Sequence, residues 1–292
     1  MHIPGFRGLG PGTVVKQAIM DFLADDMPTY AAALAYQVLF SLFPFLLFLL
    51  ALLGFLNIPQ FFTWLQQQAQ TVLPPDAMAQ VNAVIAQLQQ PQGGLLSFGI
   101  LAALWSASAG VRATMNALNV AYDVAEGRPT WKRFVLSIIY TIGLAVLLIG
   151  AAALMILGPQ AMQWLAEQVG WGQVVVTLWT WLRWPVAVLL VILAVATIYY
   201  VTPDVEQDFR FITPGAIIAV LVWILASLGF GYYVQNFADY SATYGSIGAI
   251  IVLLLYFFIS AAVLLFGAEV NAVIEHHAPE GKNPGEKALH TA

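Results

Sequence analysis

Long apolar stretches alternate with short charged ones along the chain. Six windows contain no Asp, Glu, Lys or Arg: residues 27–75, 77–111, 134–166, 184–203, 211–238 and 240–268. A helix crosses the hydrocarbon core of a bilayer with about 20 mostly apolar residues, and every window is long enough. In hydrocarbon each backbone amide must be satisfied within its own segment, so the helix is the default. A membrane β-barrel would alternate polarity in segments of about 10 residues, and Ile250-Ile251-Val252-Leu253-Leu254-Leu255 does not alternate. The pattern predicts an all-α integral membrane protein with six transmembrane helices, at about 31–56, 95–118, 134–158, 184–201, 212–234 and 246–266. Amphipathic interfacial helices accompany them.

The segments between the spans are read as follows. Residues 1–29 form a leader whose 13–23 stretch has helical apolar spacing and is expected to lie along the inner interface. They lack the apolar core of a signal peptide, being interrupted by Lys16, Asp21, Asp25 and Asp26. Residues 30–275 are expected to form a single membrane domain with outer segments at 57–94, 159–181 and 235–245. The first of these is rich in Gln, and Asp76 after Pro74-Pro75 fits a helix N-cap. Gly93-Gly94 is expected to end it. Trp164, Trp171, Trp179, Trp181 and Trp184 mark an interfacial belt around the second. Pro44 is expected to kink the first span, since proline removes a ladder bond and clashes with the preceding turn. The composition of 276–292 predicts a mobile tail.

Composition sharpens this reading. The chain is 61% hydrophobic and 9% charged over 292 residues. A soluble domain is about 45–50% apolar and about 25% charged, so most soluble enzyme classes are excluded. The net charge of −5 weighs against a nucleic-acid partner. Cysteine is absent, which removes disulfides, thiolate catalysis and zinc-thiolate sites. With both termini inside, nine of the ten Lys and Arg residues fall on inner segments, and the exception, Arg183, adjoins Trp184. The positive-inside rule therefore orients the chain with both ends cytoplasmic.

Arg112 and Glu269 are the charges set deepest in apolar helices. At about 1.5 Å per residue they lie about 26 Å below Leu95 and about 33 Å below Ile247, near the inner face. Charges at such depth face protein or water and seek partners. Arg112 is therefore a candidate to meet Glu269, or else Asp25 or Asp26; alternatively it snorkels to phosphate while Glu269 ends its helix. Asn116 and Asn119 follow Arg112 on one helix face. The central polar groups are neutral: Gln37, Ser41, Tyr140, Thr141, Thr197, Ser227, Tyr256 and Ser260. They either tie helices together or line a path for an amphiphile. Gly229, Gly231, Gly245 and Gly248 are candidates for close helix packing or a hinge, and Pro44, Pro214 and Gly215 for helix breaks near a site. Neither G-x-x-x-x-G-K-[ST] nor H-E-x-x-H is present, and His2, His276, His277 and His290 all lie in the tails. No catalytic, cofactor-binding or metal residue is assigned, and no cofactor is expected.

Several stretches then carry a resemblance. Ala31-Ala32-Ala33-Leu34-Ala35-Tyr36 followed by Ser41-Leu42-Phe43-Pro44 resembles the first-helix motif of the BrkB/YihY family of bacterial inner-membrane proteins. So does Leu104-Trp105-Ser106-Ala107-Ser108-Ala109-Gly110-Val111-Arg112 with Asn116, Asn119 and Tyr122. Tyr199-Tyr200-Val201-Thr202-Pro203-Asp204, Pro214-Gly215-Ala216, Tyr244-Gly245-Ser246-Ile247-Gly248-Ala249 and Gly267-Ala268-Glu269-Val270-Asn271-Ala272 are similar to later family motifs. The likeness covers about residues 22–275. It implies an all-helical inner-membrane protein and links with serum resistance, envelope and lipid-export roles. An old ribonuclease BN label attached to the family does not suit this chain. RNA hydrolysis needs a watery site with metal ligands or acid–base residues.

Three functional readings follow. A transporter- or flippase-like protein for a lipid-like or amphiphilic envelope substrate is preferred. A non-transporting scaffold for an envelope complex is the alternative, and an enzyme is the third. Expected partners are membrane lipids, with a second copy of the chain or an envelope-complex protein open.

Overall fold

The computed structural model describes residues 10–55, 82, 93–169, 172–205, 213–237 and 246–277. The described residues are helical apart from short connections. Seven helices follow in order: α1 Pro11–Ala24, α2 Met27–Phe55, α3 Gly93–Ala121, α4 Thr130–Val169, α5 Gly172–Val201, α6 Pro214–Phe237 and α7 Ser246–His276. Among the described residues, four stretches have the length and apolarity to cross a membrane: Thr130–Leu148, Thr177–Val201, Pro214–Val234 and Ile250–His276.

Several boundaries differ from the sequence reading. α4 runs for 40 residues, or about 60 Å at 1.5 Å per residue, twice the hydrocarbon thickness of about 30 Å. It passes straight through Gly158-Pro159, where an interfacial segment was expected to begin. Residues 172–181 likewise belong to α5, which includes Pro185. Apolar residues on either side continue the helix, and a proline inside one is tolerated when neighbouring groups take up the freed carbonyl. Gly93-Gly94 opens α3; the first N–H groups of a helix lack partners in any case, so glycine costs little there. α2 continues through Pro44. The N-cap at Asp76 and most of 57–94 lie outside the described residues, as do Gly245 and the tail beyond 277.

The chain divides into two compact units, one of residues 37–109 and one of residues 1–36 with 110–292. In the smaller unit Gln37 donates to the Ser106 carbonyl at 3.4 Å, and the buried Ser108 hydroxyl returns to the Trp105 carbonyl at 2.8 Å. In the larger unit α4 packs on α5, α5 on α6, α6 on α7, and α7 on α1. Its core draws Met27, Ala31 and Leu34 from α2, Ala117, Leu118 and Ala121 from α3, Ala196 and Tyr199 from α5, Ala216 and Ala219 from α6, and Leu265, Ala268 and Ala272 from α7. Alanine dominates because helices in lipid gain stability from close approach rather than from hydrophobic burial. α1 seats Val14 and Ala18 against Val270, Val273 and Ile274. Its other face exposes Val15, Ile19, Met20 and Leu23, as an interfacial helix would.

The tightest approach is between α6 and α7 and involves two glycines. A Cβ on Gly215 would strike the Gly267 carbonyl and come within 2.6 Å of the Asn271 side chain. One on Gly267 would strike the Tyr199 hydroxyl and lie 2.7 Å from both the Ala219 methyl and the Gly215 carbonyl. Backbone atoms cannot rotate aside. Gly229 and Gly231, read from sequence as packing or hinge positions, have nothing within 4 Å of the added atom, so they make no close approach; Gly248 is buried in α7. Gly215→Ala and Gly267→Ala should each destabilise the purified protein by at least about 1–3 kcal/mol, the usual range for overpacking. Gly229→Ala should stay within about 0.5 kcal/mol of wild type. Thermal unfolding in one detergent checks the contrast, and equal damage at all three positions would refute it.

Candidate functional site

Buried polar groups of the larger unit gather where α3, α5 and α6 meet their loops, together with the C-terminal part of α7. Local sequence shapes this end. α3 stops in a Schellman motif: the Asp123 N–H bonds the Val120 carbonyl at 2.9 Å and the Val124 N–H bonds the Asn119 carbonyl at 2.8 Å. Asp123 takes φ 54°, the left-handed region this motif requires. Val124 folds back into the core that also holds Leu118. Asp26, with φ 53°, makes the comparable turn between α1 and α2.

The turn after α3 brings Glu126 and Arg128 onto Asn119 and the 202–205 loop. Arg128 Nε donates to Glu126 Oε1 at 2.7 Å, and Nη2 donates to Glu126 Oε2 and to the Thr202 carbonyl, both at 2.9 Å. Asn119 donates to Glu126 at 3.0 Å and accepts from the Asp204 N–H at 2.7 Å. Asp204 in turn accepts from the Gly127 N–H at 2.9 Å and lies 3.6 Å from Arg128 Nε. The Thr202 hydroxyl bonds the Ile198 carbonyl. Burial alone would push the Glu126 carboxyl up. The hydrogen bonds and charge of Arg128, with help from Asn119, outweigh it and hold Glu126 below the usual carboxylate range. Arg128 is held above its ordinary value: burial opposes its charge, and Glu126 and Asp204 favour it more strongly.

A second cluster belongs to the motif Gly267–Asn271 of α7. Thr213 caps α6, accepting the Ala216 N–H at 3.2 Å, and Pro214 occupies the first helical position, where proline is favoured. Asn271 completes the cap from the neighbouring helix: it accepts from the Gly215 N–H at 2.8 Å and donates to the Thr213 hydroxyl at 3.0 Å. The buried Tyr199 hydroxyl donates to the Leu264 carbonyl at 2.5 Å. Glu269 is 1% exposed, and its Oε1 has no hydrogen-bond partner. The charges acting on it are Asp25, Asp21 and Asp123, all of its own sign. Asp25 itself is raised above the usual range, by burial first and then by Asp123 and Asp21. His276 approaches Asp123 at 3.9 Å, and His277 bonds the Val273 carbonyl at 2.8 Å.

Arg112 is not among the charges acting on Glu269. Arg112 donates to Ser137 at 2.9 Å and lies 5.0 Å over the Phe134 ring. Asn116 is exposed and accepts from Arg133 at 2.9 Å, whereas Asn119 is buried in the Glu126 cluster. The two asparagines share a face of α3 yet serve different neighbours. Among the central polar groups, Thr141 and Thr197 bond carbonyls of their own helices, while Ser227–Tyr256 and Trp223–Ser260, both at 3.1 Å, tie α6 to α7. Glu126, Arg128 and Asp204 form a polar cluster that spacing alone did not reveal. Their signal was two short charged loops, and a charged loop ordinarily reads as solvated.

Three comparisons bear on this arrangement. The family model described as Virulence factor BrkB matches residues 18–291. A Bacillus subtilis protein named putative ribonuclease-like protein YfkH is 37% identical over 279 residues, covering 94% of this chain and 99% of that protein. A UPF0761 membrane protein of Xanthomonas campestris is 28% identical over 85% of this chain but only 57% of its own length. This chain thus spans little more than half of the Xanthomonas protein. No solved structure matches.

Two outcomes follow from the electrostatics. Arg128→Ala leaves Glu126 and Asp204 without their shared cation and should cost about 3 kcal/mol or more, as breaking a buried pair does. Because Glu126 is depressed in the fold, its contribution is complete above the usual carboxylate range and is lost as pH falls through that range toward the folded value. Glu126→Gln should therefore flatten the acid limb of a stability–pH profile followed by thermal unfolding. Asp25 carries the opposite sign: its ionisation opposes folding at neutral pH, and acid relieves the cost. Asp25→Asn should raise the unfolding midpoint modestly at neutral pH, with the gain vanishing on acidification. A gain that grows toward low pH would contradict this account.

Proposed function

The chain belongs to the BrkB family of membrane proteins, and on that premise we propose that it is a transporter- or flippase-like protein for a lipid-like or amphiphilic envelope substrate. The observation that carries this reading is uneven packing in the larger unit. On α6 the buried positions are Gly215, Ala216, Ala219 and Val220, and none of the described side chains from 221 to 236 is buried. On α5 the buried residues Ala194, Ala196 and Tyr199 lie toward the C-terminal end, and none of the described side chains before them is buried. One end is clamped by backbone contact and capped helix termini. Toward the other end the α6 side chains face outward, and a Cβ added to Gly229 or Gly231 would meet nothing within 4 Å. A bundle clamped at one end and less buried toward the other suits the admission of an amphiphile from the bilayer, and the neutral polar groups on α6 and α7 suit a path without fixed charge.

In this reading six helices span the inner membrane with both termini cytoplasmic. The supporting feature is the concentration of Arg112, Arg128, Lys132 and Arg133 at the clamped end, which the positive-inside rule assigns to the cytoplasm. A scaffold for an envelope complex is the second reading, favoured by Ser227–Tyr256 and Trp223–Ser260, which bond polar groups to each other across α6 and α7. Ribonuclease chemistry is not proposed, although the Bacillus relative carries that word in its name. The described histidines are engaged by Asp123 and the Val273 carbonyl. Reconstitution in liposomes with labelled lipids of several headgroups decides between the first two readings. The transporter reading expects translocation above empty liposomes for at least one lipid, and none for any would favour the scaffold.

A further inference from the structure

α3 and α4 run antiparallel, and two side-chain rungs join them. In one, Arg112 donates to Ser137; in the other, Arg133 donates to Asn116. Arg112 and Asn116 are four residues apart on α3, and Arg133 and Ser137 four apart on α4. The rungs are therefore about 6 Å apart, one helical turn. Each carries a guanidinium contributed from opposite helices, and the hydroxyl and the amide that accept these two hydrogen bonds are neutral. Phe134 supports Arg112 from one side at 5.0 Å.

Among the described residues, this corner holds Arg112, Arg128, Lys132 and Arg133 together with the carboxylates of Asp123, Glu126 and Asp204. Arg128 takes both Glu126 oxygens and approaches Asp204, leaving Arg133 a distant share of Glu126 at 3.7 Å. The corner also coincides with the start of the apolar stretch Thr130–Leu148, so the guanidiniums stand at the level where headgroups begin. Trp131, 70% exposed, has the character of an interfacial anchor there. Lys132 beside it is exposed.

We propose that the Arg112–Arg133 seam, with Lys132 at its edge, binds the phosphate of an anionic phospholipid. Arginine matches phosphate oxygens with paired N–H donors. Two guanidiniums a turn apart supply four or more donors, and the lipid chains lie along the apolar side of α4, where Val135, Ile139 and Ile142 are exposed. The site needs no transport, so a protein that binds this lipid and moves nothing leaves it standing.

The test is an equilibrium titration of the detergent-purified full chain, with thermal stabilisation as readout. Phosphatidylglycerol should raise the unfolding midpoint of wild type, while phosphatidylethanolamine and inorganic phosphate at equal concentration should not. Arg112→Gln and Arg133→Gln should each weaken phosphatidylglycerol binding about fivefold, as expected for one basic group at a charged membrane surface. Arg183→Gln, at the far end of the bundle, should leave binding unchanged. Lys132→Gln serves if the arginine variants do not fold, since its exposed side chain holds nothing in place; it too should weaken binding several-fold. Equal stabilisation by inorganic phosphate would show a general anion effect and overturn the lipid assignment. So would undiminished binding in the folded variants, or an equal loss in Arg183→Gln.

Discussion

The larger unit depends on the approach of two backbones, Gly215 of α6 and Gly267 of α7. In a bilayer, lipid tails solvate apolar side chains as well as another helix does, so association needs close packing and polar contacts. Two facing glycines provide the first. They bring the start of α6 near enough for Asn271 to reach across and cap it, and they leave room for the Tyr199 hydroxyl to reach the Leu264 carbonyl. One steric fact thereby joins three helices and satisfies an otherwise open helix terminus.

Around this clamp the polar groups divide by how well they are compensated. Glu126, Arg128, Asp204 and Asn119 share their hydrogen bonds so fully that two loops become one rigid corner. Glu269 is the opposite case, a buried carboxyl with an unbonded oxygen among other carboxylates. Buried polar atoms without partners are rare in folded proteins because each forfeits its hydration. The two environments sit on the same end of the unit and give it both its firmest and its most strained electrostatics.

Burial differs between the two ends of the larger unit. Clamped loops with cationic side chains stand at one face, while α5 and α6 lose their buried side chains toward the other. The Arg112–Arg133 seam lies at the outer edge of the firm corner. A lipid held there would rest on a part of the protein that does not need to move, whatever the less buried end does.

Much of this was written in the residues. Uncharged windows determined that the chain is helical and of membrane type, because a backbone in hydrocarbon has few other solutions. Motifs around Pro214-Gly215 and Gly267–Asn271 marked the segments that matter. Helix ends were less legible: α4 and α5 run beyond the predicted interfacial breaks, since local apolarity can sustain a helix where one proline or glycine suggests a stop. Partners were not legible at all. Arg112 and Glu269 lie at similar depth, yet depth says nothing of azimuth, and rotation about each helix axis is set by packing. Gly229 and Gly267 are the same residue in similar surroundings by sequence; only the crossing of α6 over α7 decides that one faces open space and the other a carbonyl. Periodicity along a chain determines which residues share a face, and tertiary structure alone decides what that face meets.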